Sequence, residues 1–191
     1  MTDVSSADRP WLVIIDMQEI FSHPDKWWSV PKFHEIIPEI HQLVEHFQDR
    51  TLVTRFVRGP EPQGSWVPYY QQFPFANVPG TDPIYDLVPK IAKLDHGDNL
   101  VTMTTFSKWG NEVHGIRAKT GKTPHLVFTG VATDCCVLST AMQAAEAGAF
   151  VTVVIDACAG SSPENQLAAE KILVGYAPLI QIVKAERLLK G

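Results

Sequence analysis

With 191 residues, 45% of them hydrophobic and 19% charged, the chain is sized and composed for one folded domain with its own core, which excludes the disordered class. A formal charge of −5, without a Lys/Arg stripe able to neutralise phosphates, excludes a nucleic-acid partner. Three cysteines, of which Cys135 and Cys136 are adjacent, argue against a disulfide framework and for a reducing, cytoplasmic setting; no apolar run approaches the roughly 20 residues that span a bilayer, so no membrane association is expected.

Residues 1–10 are polar and lack the apolar core of a signal peptide, and we expect a short tail ahead of a single domain over 11–191. Residues 11–15 form an apolar run that reads as a strand, with Asp16 just past its end. A helix is predicted over 33–47 and a second strand over 52–57. The stretch 59–83 then breaks the pattern, interleaving six prolines with Trp66, Tyr69, Tyr70, Phe73 and Phe75. Such ring density suits an ordered loop over a site mouth, a subunit interface or a satellite core. Further strands are predicted at 100–102, 126–129, 151–155 and 179–183, with helices over 137–147 and 163–173. Several of these strands are apolar throughout, as when both faces are covered. The alternation predicts an α/β fold: a single-domain, three-layer α/β/α arrangement on a six-stranded, mainly parallel sheet. Ligands of such sheets bind beyond the carboxyl ends of the strands.

Two strand ends carry chemistry. Gly130-Val-Ala-Thr-Asp-Cys-Cys136-Val137 leaves one strand and opens a helix, so Cys136 stands near a helix N-terminus, where amide N–H groups and the helix dipole favour a thiolate below the usual thiol pKa of about 8.5. Asp16, taken alone, is most simply a turn or cap residue; facing a cysteine across a shared crevice it becomes a proton acceptor. The look-alike phosphate loop over 115–123 has five residues between its glycines instead of four and runs from helix to strand, so we reject it; no G-x-G-x-x-G or G-x-S-x-G occurs. The seven histidines lack ligand spacing, His41 and His46 pointing about 140° apart on their helix. Cys158 reads as a small buried residue, and Arg55 and Arg58 as solvated groups or a clamp for a substrate carboxylate.

Asp16-Met17-Gln18 with Phe21, and the Gly130 to Val137 motif, resemble the isochorismatase-like cysteine hydrolases, which include nicotinamidases and N-carbamoylsarcosine amidases. The likeness spans roughly residues 11–183. It implies Cys136, and not Cys135, as nucleophile, a cis peptide bond at Val131-Ala132, and an oxyanion hole from the backbone N–H groups of Ala132 and Cys136. It also implies a catalytic lysine after the third strand. Aligning Ser107 with the family serine puts Met103 at the lysine position, and Lys108, the only lysine between Lys93 and Lys119, is assigned the role instead. The family's nicotinamidases carry a metal held by an Asp-x-His pair and a further histidine, whereas this chain reads Thr54-Arg-Phe-Val-Arg58 there and has no histidine between His46 and His96. No cofactor and no metal are therefore expected.

The resemblance thus implies a metal-independent hydrolase of a small amide or ureido compound, acting through a thioester. The pocket is expected to be lined by Phe21 and Trp109. A homodimer or homotetramer is implied, with the 137–147 helix and the aromatic loop as candidate interfaces. The alternatives are a nicotinamidase, an isochorismatase-type vinyl-ether hydrolase, or a binding module of the same fold without turnover.

Overall fold

The computed structural model describes residues 9–110 and 123–190. Most of the tail over 1–10, His114, and all but the last residue of the rejected phosphate-loop look-alike lie outside them. Six strands, β1 (Trp11–Ile15), β2 (Thr51–Phe56), β3 (Leu100–Met103), β4 (His125–Val131), β5 (Phe150–Ala159) and β6 (Ile180–Val183), form one sheet in the order β3-β2-β1-β4-β5-β6. Every neighbouring pair is parallel. The helices are α1 (Glu19–Ser22), α2 (Ile37–Phe47), α3 (Trp66–Gln72), α4 (Pro89–Ala92), α5 (Leu138–Glu146), α6 (Pro163–Gly175) and α7 (Ala185–Leu189). None of the described helices is long and apolar enough to cross a membrane.

Strand β1 shows why the sheet is buried on both faces. Its side chains alternate in direction, so that Leu12 and Ile14 enter one apolar cluster while Val13 and Ile15 enter the other. The first cluster takes Ile37, Ile40, Leu43 and Phe47 of α2; the second takes Ala141, Ala144 and Ala145 of α5 and Leu173 of α6. Three layers result. Helix α5 turns its apolar face to the sheet, and among the described residues the exposed large apolar side chains include Leu167, Ile172 and Val174 of α6, together with Phe150 and Leu179.

Three boundaries differ from the periodic reading, each for a local reason. Helix α2 begins at Ile37 and not at 33, because Pro38 cannot donate to a preceding turn and fits only the first positions of a helix; residues 30–36 make separate turns instead. Strand β5 runs on to Ala159 past a charged residue, since its pairing with β4 slips between Phe128↔Val153 and Gly130↔Cys158. The slip frees Asp156, whose carboxylate accepts the Ala185 N–H at the start of α7. The aromatic stretch 59–83 is not a bare loop: it holds α3 and a short 3-10 turn, Pro74–Ala76, and its rings pack inward on the first cluster.

Strands β2 and β3 lie to one side of β1, and β4, β5 and β6 to the other. The chain reverses its direction of travel between β1 and β4, and at that switch point a crevice opens beyond the strand ends. Gly130, paired with Ile15, is what lets the two strands approach there: its φ is +104°, and a Cβ would stand 2.1 Å from the Ile15 carbonyl oxygen.

Candidate active site

Asp16 leaves β1 in a left-handed conformation (φ +49°) that Asp tolerates better than most residues. Its backbone N–H donates to Thr54 Oγ1 (3.2 Å), and the same hydroxyl donates to Asp16 Oδ1 (2.7 Å). Thr54 thus spends its lone proton on the carboxylate and a lone pair on the amide, and it aims the side chain. Two residues on, Gln18 ties the end of β1 to that of β2: its amide oxygen accepts the Phe56 N–H (2.8 Å), and Nε2 donates to the carbonyls of Phe56 (2.8 Å) and Tyr85 (2.6 Å).

Lys108 is fully buried, as is Asp16. Its Nζ stands 2.8 Å from Asp16 Oδ2 as an ion pair and donates to the carbonyls of Thr105 (2.8 Å) and Phe106 (3.0 Å). The Phe56 ring lies 5.4 Å away, giving the ammonium an aromatic neighbour. The loop is pinned to the helix side by Thr140, whose hydroxyl accepts the Lys108 N–H (2.9 Å) and donates to the Cys136 carbonyl (2.6 Å). Met103, at the aligned lysine position, pairs with Phe56 in the sheet and packs on the second cluster.

Cys136 stands in a π-helical turn, Thr133–Val137, that enters α5, and it is only 3% exposed. The Val131-Ala132 peptide bond before the turn is cis. Both Asp16 and Lys108 are near enough for their charges to act on the Cys136 thiol. A hydrogen bond with Cys135, burial and the Asp16 charge push the Cys136 thiol up, against the opposing pull of Lys108, while the same hydrogen bond pulls the Cys135 thiol down.

The sulfur faces a cavity of about 320 Å³ walled by the rings of Phe21, Trp28, Phe56, Tyr69, Phe73 and Phe106. Ala132, Cys135 and Cys136 line it as well, and Asp134 and Ser161 add its polar groups. Phe21 lines the cavity, whereas Trp109 is not among its lining residues and packs on the second cluster. The Trp109 backbone N–H is held by Ser107 Oγ (3.1 Å). Phe106 takes the place in the wall that Trp109 was expected to fill. Arg55 and Arg58 are also spent elsewhere, Arg55 on Thr102 Oγ1 (2.9 Å) and Arg58 on Asn77 Oδ1 (2.7 Å) and the Gly59 carbonyl (3.0 Å).

A larger cleft of about 520 Å³ runs between Glu35 and Glu39 on one side and α6 on the other. Cys158 borders it, but burial pushes that thiol far above its ordinary range and its Sγ leans on the Phe128 carbonyl (3.8 Å). Among the described residues no group of three or more His, Cys, Asp or Glu side chains is arranged to hold a metal ion. Thr54, Thr140 and Trp28 gave no advance signal beyond, for Thr54, a hydroxyl inside an otherwise apolar run.

Comparison with known proteins adds a family. The isochorismatase domain model matches residues 10–182. Among solved structures, an isochorismatase family protein from Desulfovibrio vulgaris subsp. vulgaris str. Hildenborough superposes with a TM-score of 0.78 at 23% identity, covering 93% of this chain and 94% of that one. A cysteine hydrolase from Pseudomonas syringae pv. phaseolicola 1448A gives 0.79 at 17%, covering 96% and 92%. A pyrazinamidase of Pyrococcus horikoshii, solved in complex with zinc, gives 0.70 at 22%, covering 92% and 98%. No curated protein matches the chain significantly.

Proposed function

The chain belongs to the isochorismatase domain family, a family of hydrolases, and from that premise we propose that it is a cysteine-dependent hydrolase of a small, non-peptide carbon–nitrogen substrate. The observation that carries the reading is the buried Asp16–Lys108 pair acting on the Cys136 thiol at the switch point of the sheet. Attack and proton transfer go together: Cys136 Sγ bonds to the carbonyl carbon as its proton passes to Asp16. The oxyanion that forms is met by the backbone N–H groups of Ala132 and Cys136, each worth about 3 kcal/mol in comparable sites. Asp16 then gives its proton to the departing nitrogen, and the carbon–nitrogen bond breaks to leave a thioester on Cys136. Water, deprotonated by Asp16, hydrolyses that ester and returns the thiol. Lys108 moves no proton in this cycle; its ion pair with Asp16 keeps the carboxylate aimed.

A zinc ion such as the Pyrococcus pyrazinamidase holds does not suit these residues. The β2 end beside the cavity presents the buried Phe56 ring and the occupied Arg58 guanidinium, and the Asp16 carboxylate is taken up by Thr54 and Lys108. No step is therefore routed through a metal. The three free cysteines suit a cytoplasmic protein, and the exposed apolar side chains of α6 suit a homodimer or homotetramer, to be checked by sedimentation. The decisive experiment is a panel of small amides and ureido compounds scored for ammonia release with and without EDTA. Release that is insensitive to EDTA, absent in Cys136→Ala and accompanied by an acyl adduct on Cys136 by mass spectrometry is expected. Full activity in Cys136→Ala, or an EDTA block reversed by zinc, would overturn the reading.

A further inference from the structure

The wall of the cavity carries information about the substrate that the catalytic residues do not. Trp28, from the segment between α1 and α2, is its hub: ring centroids of Phe73, Tyr69, Phe56 and Phe21 lie 5.5, 5.7, 6.1 and 6.2 Å from it, with Phe75 behind at 5.2 Å. These rings come from α1, the end of β2, α3 and the turn after it, so separate parts of the chain converge to build one apolar surface. Rings at such separations hold each other in edge-on and tilted arrangements, and a flat or branched apolar group entering among them exchanges water for ring contacts.

The polar side of the cavity is equally specific. Its charged side chain is Asp134, whose carboxylate accepts the Ser161 N–H (2.7 Å) and the Ser161 hydroxyl (2.6 Å), while Asn165 Nδ2 donates to that hydroxyl (2.8 Å). The arrangement fixes a negative charge at the edge of the cavity. No Lys or Arg is among the described residues lining the cavity, and Lys108 is ion-paired with Asp16. A carboxylate on the substrate would thus lose its water among aromatic rings and meet a second carboxylate, a double penalty.

Resting on the hydrolase reading, we infer that the non-reacting part of the substrate is an uncharged apolar group, aryl or branched alkyl, and that amides bearing a carboxylate on that part are rejected. The ring wall supplies the attraction and Asp134 the repulsion.

The test uses benzamide and 4-carbamoylbenzoate, two amides of one shape that differ by a carboxylate. Binding of each to the Cys136→Ala protein is measured by calorimetry, and ammonia release from each by the wild-type enzyme is measured separately. The neutral amide is expected to bind at least tenfold more tightly, and Trp28→Ala to weaken it at least tenfold. Asp134→Asn, which keeps the shape of that side chain, is expected to shrink the disadvantage of the carboxylated amide relative to benzamide several-fold, a readout that does not depend on how Trp28→Ala folds. Equal or tighter binding of the carboxylated amide, or no binding of benzamide, overturns the inference. Preferred binding of benzamide without ammonia release sinks the hydrolase reading and leaves the cavity inference standing; faster release from the carboxylated amide does the reverse.

Discussion

Replacing Lys108 by Met, a side chain of similar length without charge, tests the centre of the proposed machinery. At 2.8 Å from Asp16 Oδ2, the ammonium contributes a direct Coulomb attraction of about 6 kcal/mol at an effective dielectric of about 20. Much of that is offset by the cost of dehydrating both groups, and what removal of one partner leaves behind is an uncompensated carboxylate, fully buried; such losses run to about 3–5 kcal/mol. The carbonyls of Thr105 and Phe106 lose their donor as well. Urea unfolding followed by tryptophan fluorescence, extrapolated linearly to water, should therefore show a stability loss of about 3–5 kcal/mol with an unchanged slope. In kcat/KM the loss should be at least about 100-fold, equivalent to about 2.7 kcal/mol of transition-state stabilisation. Adding Asp16→Asn to Lys108→Met should recover part of the stability, since the buried charge is gone and Thr54 can still donate, but none of the activity. A Lys108→Met protein within about 1 kcal/mol of the parent and with nearly full turnover would refute the argument that this pair holds the site.

Other consequences can be measured independently. Cys135→Ser should keep most of the turnover that Cys136→Ala abolishes, because the proposed nucleophile is Cys136; comparable loss in both by ammonia release would contradict the assignment. The Cys158 thiol is pushed up by burial, so above about pH 9 the unfolded chain gives up a proton that the folded chain keeps, and stability must fall as pH rises, by up to about 1.4 kcal/mol per pH unit for that group. Urea unfolding from pH 8 to pH 10.5 should show that decline, less steep in Cys158→Ala; a flat profile in the parent would contradict it. Gly130→Ala places a Cβ 2.1 Å from the Ile15 carbonyl oxygen at φ +104° and should cost at least about 3 kcal/mol by the same assay; a loss under 1 kcal/mol would mean that β1 and β4 part there without penalty.

The layered fold was legible because burial on both faces of a parallel sheet leaves continuous apolar runs between helix-forming segments, and β1 was placed to the residue. Errors in extent arose where a single residue overrode the pattern, Pro38 at the start of α2 and Asp156 within β5. The placement of Asp16 and Cys136 just past strand ends was legible for a related reason: the ends of strands in such a sheet converge on one crevice whatever the loops do. The surroundings of the Cys136 sulfur were not, because burial and facing charges are set by distant segments.

By itself the amino-acid order determined the strands, the helices, their alternation and the two chemical groups set at strand ends, since these follow from periodicities of two and 3.6 residues that a linear pattern carries. Only the tertiary structure decided which of two neighbours, Lys108 or Trp109, turns toward Asp16, that Thr54 orients the carboxylate, and that Trp28 gathers rings from distant segments into a wall. Those choices are made by side chains on irregular backbone or across strand register, where direction is set by what the rest of the chain places alongside.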